Sequence, residues 1–210
     1  MNDYRNTEYC KNLCDIHTKK QEFKKQMTDE HPKMTNYYKY ISEKSGPYKR
    51  KFIELYNDKC VYCGNSLDNI TIDLFEIDHF INEASFQGCD KKNAHKIENL
   101  VPACQLCNRG KSGLTIEGAY VDMLNPESSE LPKVFHRDEK YYIQISDDYK
   151  TDAFIERFYV ALALGKESRR LDYLLLKMKG LTQKLEDSHK AKPRLISIIN
   201  ELQQKRNRFY

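Results

Sequence analysis

The chain has 210 residues, with 35 Lys and Arg against 31 Asp and Glu, and seven cysteines. That length admits one substantial domain or a compact module with additions. No apolar run is long enough for a bilayer span and the first residues lack the apolar core of a secretion signal, so a soluble cytoplasmic protein without a membrane partner is expected. The cysteines suit metal ligation in a reducing compartment better than a disulfide scaffold.

Residues 1–46 are polar and Lys-rich, and the pattern predicts helices over 15–28 and 33–43, divided by His31-Pro32. Cys10, Cys14 and His17 would share one helix face, where packing on a core outweighs a three-ligand metal site. Lys19, Lys20, Lys24 and Lys25 read as an exposed helix face. Ser45-Gly46-Pro47 is a break, and Phe52, Ile53, Leu55 and Tyr56 predict a helix leading into Cys60-Val-Tyr-Cys63-Gly64. Residues 70–80, rich in β-branched and aromatic types, predict a strand. Residues 81–98 form a long loop without a period, with Cys89 as a free thiol and His95 as a surface residue. Residues 99–103 are extended, and a helix is predicted over 104–111.

Beyond it, the pattern predicts a short helix at 116–124, a hairpin from Val134-Phe135-His136 and residues 141–145, and helices over 152–164, 168–186 and 193–209. Leu171, Leu174, Leu175, Met178, Leu181 and Leu185 form an apolar stripe, read first as core and second as a partner groove. Residues 112–164 carry 5 basic against 10 acidic side chains, and residues 165–210 carry 12 against 5. A basic tail of this kind suits a polyanion as well as a solvated helix surface.

The chemistry concentrates between Cys60 and Lys111. Two Cys-x-x-Cys pairs (Cys60, Cys63 and Cys104, Cys107) suit one tetrahedral, coordinatively closed Zn2+ that braces the fold and cannot activate water. Any catalytic ion must then be a second one on hard oxygen ligands. Asp78 and Asn108 offer such oxygens, a set that suits Mg2+ or Mn2+. His79 can take a proton from water near neutral pH. Neighbours on a flat strand face opposite ways, so the strand is expected to end or bend at this step. Glu76 shares the Asp78 side by alternation, and a solvated face explains it equally well.

The order Cys-x-x-Cys, Asp78-His79, Asn99, Cys-x-x-Cys-Asn108-Arg109-Gly-Lys111 resembles the HNH endonuclease family over about a quarter of the chain. The resemblance implies an α+β protein: a zinc-stapled ββα-metal core within mostly helical N- and C-terminal extensions, with an added β-hairpin. The corresponding division is 1–46 helical extension, 47–125 nuclease module and 126–210 hairpin plus helices. Carried over, His79 is the general base, Asp78 and Asn108 hold the catalytic ion, and Asn99 holds the His-bearing loop. Asn108 departs from the His frequent at that position, and Asn is the weaker ligand. Arg109 and Lys111, on the same helix, are placed to contact a flanking phosphate.

The implied reaction is phosphodiester hydrolysis of DNA, with RNA left open, giving 5′-phosphate and 3′-hydroxyl ends. The overall arrangement is similar to bacterial HNH proteins of anti-phage defence. That likeness implies an ATPase or another defence subunit as partner, and a homodimer where both strands are cut. The readings from other classes are a zinc-stapled nucleic-acid-binding module without catalysis, and an interaction subunit using the Leu171–Leu185 stripe.

Overall fold

The computed structural model describes residues 3–44 and 46–209, the Cys89 side chain excepted. Ser45 of the predicted break and the Cys89 thiol therefore lie outside the described residues. Helix α1 (Ile16–Glu30) buries Ile16, Phe23 and Met27 at helical spacing. It begins where Asp15 takes a left-handed φ of 53°, so it cannot extend back through Cys14 and Cys10. The shared helix face expected for Cys10, Cys14 and His17 is thus absent. Cys14 and His17 are exposed, and the Cys10 thiol donates to the Leu176 carbonyl. Lys20 corrects the exposed-face reading of the lysine cluster. It is buried, and its Nζ donates to the carbonyls of Glu98 and Leu100 and pairs with Glu127 at 2.6 Å.

Helix α2 (Tyr37–Ile41) is capped by Asn36, whose side chain accepts from the Lys39 N–H. Helix α3 (Pro47–Leu55) starts on proline, whose missing N–H costs nothing at that position. Asn57 and Asp58 follow with φ of 52° and 62°, a conformation their short polar side chains tolerate. Strand β1 (Phe75–His79) pairs antiparallel with β2 (Leu100–Cys104), in register from Phe75↔Cys104 to His79↔Leu100. β1 is shorter than predicted because residues 72–74 form a 3-10 turn. The long connection between the strands is not structureless: it holds short turns and the four-residue helix α4 (Lys91–Ala94).

Helix α5 (Gln105–Lys111) leaves β2 directly and completes a ββα unit. The two short helices α6 (Tyr120–Met123) and α7 (Leu131–Val134) precede the hairpin of β3 (Phe135–Arg137) and β4 (Ile143–Ile145). Helix α8 (Ala153–Ala161) is capped by Asp152, which accepts from the N–H groups of Phe154 and Ile155. Gly110 permits α5 to meet the end of α8: a Cβ there would lie 2.0 Å from the Ala161 carbonyl oxygen.

Helices α9 (Glu167–Lys184) and α10 (Lys192–Asn207) pack as a hairpin, with a buried Arg206–Asp172 ion pair at 2.6 Å. Of the predicted stripe, Leu171 and Leu175 are buried, while Leu174, Met178, Leu181 and Leu185 are half-buried. One apolar cluster runs from Tyr4 through Phe52, Tyr62, Phe75, Leu100 and Phe135 to Leu164. The ββα unit therefore sits inside a core supplied from both sides of the sequence. No helix among the described residues is long and apolar enough to cross a membrane.

Candidate active site and zinc centre

The four paired cysteines converge. Cys60, Cys63, Cys104 and Cys107 are all buried and place their sulfurs within 4.8 Å of one another. The Cys63–Cys104 separation is 3.8 Å. Four Zn–S bonds of about 2.3 Å at tetrahedral angles put sulfurs roughly 3.8 Å apart, so donor set and spacing both fit Zn2+. The first pair is a tight knuckle, in which the Gly64 N–H donates to the Cys60 carbonyl at 2.9 Å. Gly64 has φ of +75° and lies against the Arg5 backbone, where a side chain has no room. The Val61 N–H donates to the Pro102 carbonyl and ties the knuckle to β2.

A residue far along the chain completes this centre. Arg169 on α9 is buried and directs one guanidinium nitrogen to Cys63 and Cys104, and another to Cys107 at 3.1 Å. A four-thiolate zinc carries net negative charge, and a guanidinium donating to three of the sulfurs offsets it. Without the ion, burial pushes the thiols of Cys63 and Cys107 up, while hydrogen bonds from the neighbouring cysteines pull Cys104 down.

The oxygen donors lie along β1 and on α5. Alternation puts Glu76 and Asp78 on the side of β1 that faces α5. Glu76 Oε2 accepts from the Asn108 amide at 2.7 Å, and its other oxygen accepts from Gln105. Asp78 accepts from the Tyr62 hydroxyl at 2.7 Å and lies 3.2 Å from Lys111 Nζ. Burial pushes the Asp78 carboxyl up to about 6, with Glu76 adding to the rise, against the opposing pull of Lys111 and the Tyr62 hydrogen bond. Asp78, Glu76 and the Asn108 side-chain amide offer oxygens of the kind Mg2+ or Mn2+ accepts, with Asn108 brought to Glu76 and Asp78 held by Tyr62 and Lys111. A cation there would relieve the penalty that burial puts on the Asp78 carboxylate.

β1 ends at His79, and the imidazole leaves from the other face. Its Nε2 lies 3.1 Å from His95 Nδ1, and the Tyr38 ring tilts over it with centroids 4.3 Å apart. Burial first, then the charges of His95 and Lys111, hold His79 down to about 4, while Glu83 works the other way. The imidazole is therefore neutral at pH 7, the form that accepts a proton. Burial, followed by the charges of Glu76, Asp78 and Glu83, raises the Tyr38 hydroxyl above the ordinary range.

The backbone beside His79 is gripped from two directions. Asn99 accepts from the Ile81 N–H at 2.8 Å and donates to the carbonyls of Ile81 and Ala94. Lys111 Nζ donates to the carbonyls of His79 and Phe80. This overturns the expectation that Lys111 meets a phosphate, because its side chain is 1% exposed and spent on Asp78 and two carbonyls. Arg109, on the same helix, is 69% exposed, with its guanidinium 3.8 Å from Glu76.

Asn108 meets Glu76 rather than Asp78, so the two expected ligands are not brought into direct contact. Strand alternation already marked Glu76. His95 was read as surface, and neither Tyr38 nor Arg169 carries a local signal, since they reach the site from α2 and α9.

The sequence of this region matches known proteins. Residues 60–113 match the family model described as HNH endonuclease. The SPbeta prophage-derived protein YoqL of Bacillus subtilis (strain 168), named for the same family, is 32% identical over 81 residues. That match covers 39% of this chain and 35% of the relative, so the chain spans about a third of the length of the curated protein it matches. No solved structure matches. Residues 60–113 are an HNH endonuclease domain, a match that implies a metal-dependent nuclease.

Proposed function

We propose that the protein is a metal-dependent endonuclease that hydrolyses phosphodiester bonds of DNA, with His79 as general base. One observation carries the reading: a neutral imidazole, its backbone clamped by Asn99 and Lys111, ends the strand that also carries the oxygen donors Glu76 and Asp78, with Asn108 hydrogen-bonded to Glu76. A divalent ion, Mg2+ or Mn2+, held on those oxygens supplies a Lewis acid for a non-bridging phosphate oxygen.

The remaining roles belong to the chain. His79 takes the proton of the attacking water. Asn99 and Lys111 fix the backbone on which that ring stands. Arg109, exposed at the end of α5, attracts the backbone phosphates without reading bases. Cys60, Cys63, Cys104 and Cys107 hold the structural zinc, and residues 47–125 are the unit that carries the chemistry.

A single site of this kind acts on one strand, so double-strand cleavage needs a homodimer or two events. A free nuclease endangers its host, which favours control by a partner. The prophage origin of YoqL accords with a setting in phage–host conflict, where a defence-system ATPase is the partner class we propose.

The test is plasmid nicking with Mg2+ or Mn2+ by the wild type and by His79→Ala. General-base removal is expected to slow cutting by about 10²–10⁴-fold with zinc content and fold unchanged. Equal cutting by the two proteins defeats the reading.

A further inference from the structure

We propose that His79, His95 and Glu83 form a second transition-metal site, for Zn2+ or a similar borderline ion, whose occupation switches the general base off. It is distinct from the four-cysteine centre and from the oxygen set of Glu76, Asp78 and Asn108. One ligand atom from each of the three residues lies within 4.8 Å of the others. The two imidazoles are already at chelating distance. His79 Nε2 and His95 Nδ1 are 3.1 Å apart, and two Zn–N bonds of about 2.0–2.1 Å at a tetrahedral angle span roughly 3.3 Å.

Glu83 supplies the third donor. Its carboxylate oxygen is 3.7 Å from His95 Nε2, the other nitrogen of that ring, and its side chain, 56% exposed, has room to turn toward an ion on the Nδ1 side. The rings are held for the purpose from outside the loop. The Tyr38 ring is tilted against His79 at a centroid distance of 4.3 Å and lies near-parallel to His95 at 6.0 Å, and the Tyr37 N–H donates to the His95 carbonyl. Two imidazoles and one carboxylate, with a fourth position open to solvent, select zinc, cobalt or nickel over magnesium and calcium.

The consequence follows from imidazole chemistry. A neutral ring has one lone pair in its plane and one N–H. An ion that takes the lone pair leaves only the N–H, so a metal-bound His79 cannot accept a proton from water. Zinc at this site would therefore oppose magnesium at the oxygen set. This blocking role rests on the nuclease reading above; the binding itself does not.

The experiment separates the two. Protein with its cysteine centre loaded is equilibrated at micromolar free Zn2+, and bound zinc is counted by elemental analysis for the wild type and for Glu83→Gln combined with His95→Gln. Two zincs per chain are expected for the wild type and one for the variant. Co2+ added to the zinc-loaded wild type is expected to give d–d absorption without thiolate charge-transfer bands. One zinc per chain in both proteins, or two in both, overturns the site.

In Mg2+-supported nicking, micromolar Zn2+ is expected to suppress the wild type at least tenfold and to affect the variant less. A bound second zinc without suppression overturns the switch. Wild type that never nicks at any zinc level argues against the nuclease reading instead, and the zinc count still decides the site. Circular dichroism of the variant, whose Glu83 change is on the surface, separates loss of the ion from loss of the fold.

Discussion

The cysteine cluster and the histidine cluster occupy the two ends of one β1–β2 ribbon, and they are built on opposite principles. At the cysteine end every ligand is buried and the covering Arg169 donates to three of the sulfurs. At the histidine end the imidazoles are half-open, Asp78 is buried, and the groups are electrostatically displaced. Asp78 is pushed up to about 6 and His79 down to about 4, both toward their neutral forms. A closed centre stabilises the chain by satisfying its own charges. An open centre keeps its ionisable groups where an incoming cation or phosphate changes their state, which is how perturbed groups mark functional sites.

The strongest way to break the contrast is to remove the brace. Cys107→Ser, or chelation of the zinc, is expected to lower the melting temperature by more than about 10 °C, because structural zinc contributes directly to folding free energy. Circular dichroism melting with and without chelator measures it. A small shift would mean that the apolar cluster holds the ribbon unaided.

Next in size is the buried pair at the histidine end. Lys111→Met strands the Asp78 carboxylate and removes two carbonyl contacts beside His79. The expected loss is about 3–5 kcal/mol in urea unfolding, and Lys111→Met with Asp78→Asn is expected to recover part of it. An additive double variant would show that the pair is not coupled.

Arg169→Leu sharpens the sulfur side. Loss of a donor to metal-bound ligands is expected to weaken zinc retention about 10–100-fold, read by competition with a chromogenic chelator. Unchanged retention would reduce Arg169 to packing.

The smallest effect lies away from both ends. Hydrogen bonds from Arg170 hold Glu167 at about 2, helped by Tyr142 and Lys205. Since this folded value lies below its ordinary 4.5, the stabilisation is present above pH 4.5 and is lost as pH falls through about 2. Glu167→Gln should flatten that part of the acid-stability curve, and because the group is half-buried and stays in reach of solvent the change is a fraction of the others.

Local pattern was sufficient for several elements and not for others. The cysteine pairs, β2, α5 and the hairpin are legible because spacing, β-branched runs and turn residues act over a few positions. The helix start was placed within one residue of Ile16, but the shared face of Cys10, Cys14 and His17 was not realised, because Asp15 adopts a left-handed conformation that no periodicity reveals. Lys111 was misassigned for a related reason. A lysine at a helix end reads as solvent-facing until the strand beneath it supplies a carboxylate and two carbonyls.

By itself the sequence determined the donor types and their order: four sulfurs, an Asp-His step, an asparagine after the last cysteine. Ligand chemistry belongs to side-chain type, and short spacings limit geometry. Only the tertiary structure decided which groups share space. Glu76 came to Asn108, His95 and Tyr38 to His79, and Arg169 to the sulfurs, because contacts between residues distant in the chain follow from packing of a common core and leave no local trace.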